Sequence, residues 1–210
     1  MKKLSIFFII VLGVTFMSCN RKTTLKGRVI NPITGEGIEG ATISASKTTL
    51  ELPGGYKTVE QTTSDANGDF LLEFKKSASD IGVSTGNYYN IGWYQNGEIQ
   101  PGYYLPVDKG KTMKADFYAV PYGEYRIKIN NINCQGATDT IIINQTNQVN
   151  SFLGIDWVLE GCSGYTTAWD KVPMGTIHTK YTVVRSGVSN TYEVDFEVQP
   201  NQQNEQVIDY

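Results

Sequence analysis

The sequence has little of what most enzymes and nucleic-acid-binding proteins need. It contains one histidine and three cysteines in 210 residues, and only 19% of its residues are charged. The formal net charge is -3 and the pI is near 5.2, which argues against the strongly basic surface that binds nucleic acid. A single imidazole offers little general acid–base chemistry. We therefore expect a non-catalytic protein that needs no cofactor and has no nucleic-acid partner.

The residues that are present favour a folded, strand-rich protein. Hydrophobic residues make up 40% of the chain, which also has 21 Gly and 13 Tyr. Almost every periodic segment alternates apolar and polar residues with period two, and turn residues separate these segments. The length suits two domains of roughly 100 residues each. The sequence thus predicts an all-β protein of two tandem antiparallel β-sandwiches.

The first residues have the pattern of an export signal. Two lysines precede an uncharged run over residues 4–17. The run is too short to cross a bilayer, which takes about 20 residues, and it matches the apolar part of a signal peptide. Ser18 and Cys19 follow, and a small residue before a cysteine resembles the lipobox of bacterial lipoproteins. The resemblance implies a lipoprotein signal peptide over residues 1–18 and acylation of Cys19.

The residues around Cys19 indicate in which membrane, and on which side of it, the protein is anchored. Phe16 stands where lipoboxes usually have Leu, a departure that Bacteroidota-type lipoproteins tolerate. Residues 19–23 would form the lipidated cysteine and a short linker, with outer-membrane lipid as the partner. Residues 20–22 read NRK and lack the acidic residues of surface-exported lipoproteins, which favours the periplasmic face over the cell surface. An ordinary secretory signal that releases a soluble protein is the alternative.

The two remaining cysteines form an even pair. With Cys19 set aside, Cys134 and Cys162 are left, and an exported protein meets an oxidising compartment. The pair predicts a disulfide, and two separate buried thiols are the alternative. Neither a CxxC motif nor a histidine cluster accompanies them, so we expect no metal site.

Three motifs in the first half resemble a known family. Residues 25–29 read LKGRV, residues 34–43 read TGEGIEGATI and residues 63–70 read TSDANGDF. Together they resemble the carboxypeptidase regulatory-like domain, a transthyretin-like β-sandwich related to collagen-adhesin B-type repeats. The resemblance implies that residues 24–120 form a structural module. The third motif predicts a hairpin turn, since it lacks the additional oxygen ligands of a calcium loop.

The second half resembles no family closely. Residues 121–200 alternate apolar and polar side chains, as at Tyr125, Ile127 and Ile129, which predicts a second sandwich, immunoglobulin-like or divergent. Residues 201–210 read NQQNEQVIDY. We expect this segment to be a polar tail without a core to join.

One segment is dense in aromatic residues and amides. Its rings and amide side chains form a candidate carbohydrate-binding surface, in which rings stack on sugars while amides bind hydroxyl groups. The candidate residues are Tyr88, Asn90, Trp93, Tyr94, Tyr103 and Tyr104. The alternative is that tyrosine is simply common in strands.

No pattern for catalysis stands out. His178 falls on the solvent side of a predicted strand, and the sequence has no Gly-x-Ser-x-Gly elbow. Glu193, Asp195 and Glu197 share one strand face, which indicates a solvated acidic row, and we expect Arg126 and Lys128 to lie across from it. We therefore expect neither catalytic residues nor a metal site.

These observations lead to two functional hypotheses. The first is a membrane-anchored, non-catalytic structural or protein-interaction lipoprotein of the bacterial cell envelope. The alternative is a carbohydrate-binding lipoprotein that uses the segment over residues 88–104. A protein-docking module should expose an apolar patch or an open sheet edge, whereas a carbohydrate-binding protein should expose rings beside amides.

Overall fold

The computed structural model describes residues 21–50, 54–95, 97–102, 104–149 and 157–210. Every regular element in these residues is a strand. The first ten strands are β1 (Thr23–Ile30), β2 (Thr42–Thr49), β3 (Gly55–Thr63), β4 (Asp69–Phe74), β5 (Asp80–Ser84), β6 (Tyr88–Gln95), β7 (Glu98–Pro101), β8 (Tyr104–Pro106), β9 (Thr112–Lys114) and β10 (Asp116–Asn130). The remaining seven are β11 (Thr140–Asn147), β12 (Trp157–Glu160), β13 (Tyr165–Thr166), β14 (Asp170–Pro173), β15 (Gly175–Arg185), β16 (Val188–Val198) and β17 (Gln203–Asp209).

The chain forms two compact units. The first comprises residues up to 86 together with 92–119, and the second comprises 87–91 together with 120–210. The all-β class and the two sandwich units are confirmed. Residues 87–91 belong to the second unit, although the sequence motifs assigned them to the first. Within the described residues, no helix has the length and apolar character needed to cross a membrane.

Two sheets build the first unit. In one, β1 pairs antiparallel with β4 and parallel with β9 and β10. The other has the strand order β3-β2-β5-β8 and is antiparallel throughout. Leu25, Ile43, Leu72, Ile81 and Leu105 are fully buried and come from both sheets, so the core is apolar.

Two glycines of the first unit's motifs have a steric role. A Cβ atom on Gly27 would lie 1.9 Å from the carbonyl oxygen of Ala115, so only glycine allows this close approach to β1. Gly68 has φ of +79°, the left-handed conformation that glycine adopts without strain. Asp65 Oδ1 accepts hydrogen bonds from the backbone N–H groups of Asn67 and Asp69 at 2.8 and 2.9 Å. A tight turn is therefore present between β3 and β4, but the prediction of a hairpin was wrong, because β3 pairs with β2 in one sheet and β4 pairs with β1 in the other.

The second unit also has two sheets. In one, β10 pairs parallel with β17 on one side and antiparallel with β13 and β14 on the other. The other is antiparallel, with the order β12-β11-β15-β16. The parallel pairings in both units depart from the expected purely antiparallel sheets, since a two-residue period carries no information on strand direction.

The segment over residues 201–210 is not a tail, and that prediction was wrong. Its strand β17 pairs with β10 in a seven-residue register from Glu124↔Gln203 to Asn130↔Asp209. Ile208 and Tyr210 are buried in the core of the second unit. The segment looks polar because Asn204 and Gln206 also point inward and are buried. The Asn204 amide and the side-chain oxygen of Gln206 find hydrogen-bond partners there, so polar side chains occupy core positions, whereas Gln206 Nε2 has no partner among the described residues.

A polar cluster lies inside the second unit. Gln206 Oε1 accepts hydrogen bonds from the hydroxyl groups of Tyr125 at 2.6 Å and Thr179 at 3.1 Å. Gln145 Nε2 donates to the Tyr125 hydroxyl at 2.7 Å and to Thr179 Oγ1 at 3.0 Å. Burial raises the pKa of the Tyr125 hydroxyl to about 12. This cluster links both sheets, because Tyr125 and Gln206 come from one and Gln145 and Thr179 from the other.

The predicted disulfide is confirmed. Cys134 and Cys162 are bonded, with their Cα atoms 5.3 Å apart. The bond joins the segment after β10 to the segment after β12. Asp139 is buried nearby, where it accepts hydrogen bonds from the Gln135 backbone N–H at 3.0 Å and from Arg185 Nε at 3.2 Å. The Gln135 bond is the main reason that the pKa of Asp139 is lowered, with Arg185 adding to the effect.

Candidate functional site

The residues predicted to bind carbohydrate are divided between the two units. Tyr88 and Asn90 belong to the second unit, and Trp93, Tyr94 and Tyr104 belong to the first. Tyr88 and Asn90 are half-buried. Tyr103 lies outside the described residues, as does the predicted lipidation site Cys19. These residues are close in the sequence, but the fold assigns them to different units.

Trp93 corrects the prediction most clearly. Its side chain is only 8% exposed, so its ring cannot stack on a sugar. Gly92 before it is also buried, whereas Tyr94 after it is 39% exposed. Its Nε1 atom is buried and has no hydrogen-bond partner among the described residues.

The exposed tyrosines of the first unit form two stacked pairs. Tyr104 stacks on Tyr56 with ring centroids 5.3 Å apart, and these residues are 47% and 59% exposed. Tyr94 stacks on Tyr118 at 6.2 Å, beside a groove of about 450 Å³ that is lined by charged side chains including Arg28. Burial, and then the negative charge of Asp116, raises the pKa of the Tyr118 hydroxyl. Neither pair reproduces the predicted combination of rings and amides from segment 88–104.

Rings and amides do meet in a groove of the second unit, which we call the β10–β14 groove. It has a volume of about 550 Å³. Two aromatic side chains, Tyr122 and Trp169, line it together with two acidic side chains and one lysine. The remaining lining includes four amide side chains, from Asn87, Asn201, Gln202 and Gln203.

The amide wall of the β10–β14 groove is a fixed turn. Asn204 Nδ2 lies 2.9 Å from the carbonyl oxygens of Gln199 and Gln202 and 3.1 Å from that of Glu124. Its Oδ1 accepts a hydrogen bond from the Gln199 N–H at 2.9 Å. Asn201 has φ of +57°, the left-handed conformation that asparagine tolerates better than most residues. These bonds fix the backbone of the turn, and Gln203 Nε2 also donates to Glu124 Oε2 at 2.9 Å.

Two cations lie over the aromatic rings of the same groove. Lys171 Nζ is 4.6 Å from the centroid of Tyr122, and the guanidinium carbon of Arg126 is 4.3 Å from the ring of Trp169. Arg126 also forms an ion pair with Glu205 of the neighbouring strand. These contacts fix the orientation of both rings.

The strand β16 forms an open edge of its sheet. Among the described residues it pairs with β15 alone, over eleven residues from Gly175↔Val198 to Arg185↔Val188. Almost all of its side chains are exposed. Every second residue of an edge strand directs its N–H and C=O groups away from the sheet. The edge thus offers a row of backbone hydrogen-bonding groups.

The acidic row of the sequence lies on the outer face of this edge. Asp195 Oδ1 is 2.6 Å from His178 Nδ1, and Glu193 Oε1 is 3.5 Å from Lys180 Nζ. Glu197 accepts a hydrogen bond from the Thr176 hydroxyl at 3.0 Å. The row is exposed, as predicted, and so is His178.

The basic residues expected opposite that row are elsewhere. Arg126 and Lys128 lie on β10, which belongs to the other sheet of the unit, and the partners of the acidic row come from β15. The expectation was wrong because alternation identifies a face of a strand without identifying the neighbouring strand.

The inner face of β16 lies over a cleft. Tyr192 and Val194 share the inner face with Phe196, which packs against the core. They are nevertheless 48% and 41% exposed, so the opposite sheet does not cover them. Tyr192 stacks on Tyr181 at 5.2 Å. The cleft has a volume of about 530 Å³, and Asp209 and Tyr210 line its other side.

No arrangement for metal binding is found in the described part of the chain, where no group of three or more His, Cys, Asp or Glu side chains is placed to hold an ion. His178 and Asp195 form an exposed pair on a flat strand face.

Comparison with known proteins gives matches of structure only. No protein-family model matches this sequence. A search of curated proteins also finds no match. Among solved structures, the Bacillus anthracis TIE protein is similar with a TM-score of 0.33 and 14% identity over 90% of this chain. This chain spans only 34% of that protein.

Two further solved structures are similar over most of their own length. A DUF3823 family protein from Parabacteroides merdae has a TM-score of 0.29 and 9% identity, covering 86% of this chain and all of that protein. The shaft pilin SpaA from Lactobacillus rhamnosus GG has a TM-score of 0.28 and 9% identity, covering 90% of this chain and 97% of the pilin. At such scores and identities the likeness carries no conclusion about function.

Proposed function

We propose that this protein is a non-catalytic lipoprotein of the bacterial cell envelope that binds another protein by accepting a strand at the β16 edge. The observation that carries the proposal is the open edge itself, an exposed eleven-residue strand beside exposed Tyr192 and Val194. Strand addition gains main-chain hydrogen bonds and buries apolar side chains together. An open edge next to an apolar patch is the feature expected of a docking module.

The docking surface is tested by site-specific cross-linking in cells. A photoreactive residue replaces Asn190 on β16, and a matched variant carries it at Thr58 on the exposed strand β3 of the other unit. We expect a discrete protein adduct from position 190 and none from position 58. Equal labelling from both positions, or none from 190, would contradict docking at β16.

The membrane anchor is tested separately. Several acyl chains on Cys19 would hold the protein at the membrane, since each buried CH₂ contributes about 0.8 kcal/mol. We expect metabolic palmitate label on the wild type and none on Cys19→Ala. Unlabelled wild-type protein would contradict the anchor while leaving docking at β16 open to its own test.

We further propose that the first unit is a carboxypeptidase regulatory-like domain serving as a structural module. The glycines of its motifs support this, because Gly27 permits the close approach of β1 to residue 115 and Gly68 completes the turn before β4. Alanine in place of Gly27 should therefore prevent that approach. Gly27→Ala is expected to lower the melting temperature, and Gly136→Ala, where a Cβ meets nothing within 4 Å, is the control.

Carbohydrate binding is the second candidate function, and the β10–β14 groove favours it. Its two rings and its fixed amide wall are the combination that the segment over residues 88–104 was predicted to supply. Calorimetric titration with outer-membrane polysaccharide tests it. Trp169→Ala should weaken binding at least tenfold and Tyr104→Ala should leave it unchanged. If Tyr104→Ala alone abolished binding, the carbohydrate site would instead lie in the first unit.

A further inference from the structure

β16 lacks the features that normally protect an edge strand. Edge strands are usually short, or they carry proline, lysine or a bulge that prevents further pairing. β16 has eleven residues, and its sequence VSNTYEVDFEV contains neither proline nor a basic residue. Its register with β15 continues without a shift from end to end. Such an edge can pair with a further strand.

The two faces beside the edge select different side chains. On the outer face, Glu193 and Asp195 have exposed carboxylates. On the inner face, Tyr192 and Val194 are exposed, and Tyr192 lines the cleft of about 530 Å³. Side chains of an added strand alternate between the same two faces. One set would lie beside the carboxylates, and the other set would enter the cleft.

We propose that the partner of β16 is an extended protein segment in which basic residues alternate with apolar residues. This inference rests on the proposed docking function and adds the chemistry of the partner. Lysine or arginine side chains would pair with Glu193 and Asp195 across the new strand pair, where opposite charges stabilise and like charges destabilise. The apolar side chains would cover Tyr192 and Val194.

A second copy of this chain fits the edge poorly. Pairing of β16 with itself brings the two acidic rows, each with Glu193, Asp195 and Glu197, onto the same face of the extended sheet. Like charges opposite or diagonal to each other are unfavourable in a sheet. The net charge of -3 adds to this repulsion. Dimers that form through β16 in solution would therefore overturn the proposal.

Synthetic strands test the partner chemistry directly. One probe is a nine-residue peptide of alternating lysine and valine, and its matched control replaces each lysine with glutamate. We expect the lysine peptide to bind the full chain at least tenfold more tightly, less so as salt is raised. It should also slow amide hydrogen exchange in residues 188–198. Equal binding of both peptides, or protection elsewhere in the chain, would overturn the inference.

Charge and edge variants locate the binding. Glu193→Gln with Asp195→Asn should raise the dissociation constant of the lysine peptide about threefold to tenfold, whereas Glu60→Gln on the exposed strand β3 should not change it. Val194→Lys adds the inward lysine that blocks natural edges and should abolish binding. The control is Val158→Lys, which should leave binding unchanged. Val158 is also exposed, and it lies on β12 at the opposite edge of the same sheet. Binding that survives Val194→Lys would overturn the inference.

The two levels of the proposal fail in different ways. If position 190 cross-links to a cellular protein but the lysine peptide does not bind, docking at β16 stands and the chemistry assigned to the partner is wrong. If neither occurs, docking at β16 is wrong as well.

Discussion

Buried polar side chains bond to the backbone of turns in both units, as Asn204 does in the second, but only in the second does a set of them bond to one another between the sheets. Ser64 is an example of the first kind, since its hydroxyl donates to the Ile38 carbonyl at 2.7 Å and accepts from the Ala41 N–H at 2.9 Å. Tyr125 and Gln206 are examples of the second kind. The first interior is thus held by apolar packing, and the second adds a network.

The difference affects how each fold is specified. An apolar core tolerates many side chains of similar volume. A buried network is satisfied only when every partner is in place, so it fixes which residues face each other. In the second unit, Gln206 must lie beside Tyr125 and Thr179, and this defines the position of β17. The following predictions test this comparison, starting with the largest expected effect.

Removal of a core side chain from the first unit should have the largest effect. Leu25 is fully buried between apolar neighbours. Leu25→Ala should lower the free energy of unfolding by about 2–5 kcal/mol, through lost burial and the cavity left behind. Leu71→Ala on the exposed side of β4 is the control and should cost less than about 0.5 kcal/mol. Urea denaturation measures both, and similar losses would contradict a core held by packing.

Removal of the disulfide should destabilise the second unit. The bond closes a loop with a sequence separation of 28 residues, for which the chain-entropy estimate is about 3–4 kcal/mol. Cys134→Ala with Cys162→Ala should lose this amount and speed hydrogen exchange in residues 120–210. A reductant should destabilise the wild type and leave the double variant unchanged. Faster exchange confined to residues 21–86 would contradict the assignment.

The polar cluster should make stability depend on alkaline pH. The pKa of Tyr125 is about 12 in the folded protein against 10.0 for an ordinary tyrosine, so the unfolded chain loses this proton first. Its contribution is complete below pH 10 and is lost between about pH 10 and 12, a change of about 2–3 kcal/mol. Tyr125→Phe should lack this part of the decline, and Tyr104→Phe should retain it. Identical pH profiles for wild type and Tyr125→Phe would count against the network.

Exposed ion pairs should matter little in either unit. Lys22 Nζ lies 2.6 Å from Glu73 Oε1 in the first unit, and Lys180 pairs with Glu193 in the second. Lys22→Gln and Lys180→Gln should each cost less than about 1 kcal/mol, because water screens exposed charges. Thermal unfolding at low and high salt measures both. A larger loss in one unit would show that the contrast extends to the surface.

Alternation was enough to predict the fold class and the inward residues of β10. Tyr125, Ile127 and Ile129 are buried as expected, and the disulfide was predicted from an even cysteine count and the expectation that the protein is exported. These features depend on local pattern or on composition. Both are visible in a single sequence.

The features that were missed depend on contacts between distant residues. β17 was overlooked because its inward residues Asn204 and Gln206 are polar, and only their partners on other strands make that burial favourable. The β10–β14 groove draws Tyr122, Trp169 and Asn201 from three separate segments. A local signal did exist for the edge, since residues 188–198 form a long strand without proline or lysine. That pattern does not show which strand lies at the edge of a sheet.

The pairing of β17 with β10 sets an order of events during synthesis. A growing chain that has reached residue 119 already contains the strands of both sheets of the first unit. The second unit needs residues 87–91 and also β17, whose contact between Arg126 and Glu205 spans 79 residues. Pairings so distant in sequence form slowly. The first unit can therefore complete its fold while the second still waits for its last strand.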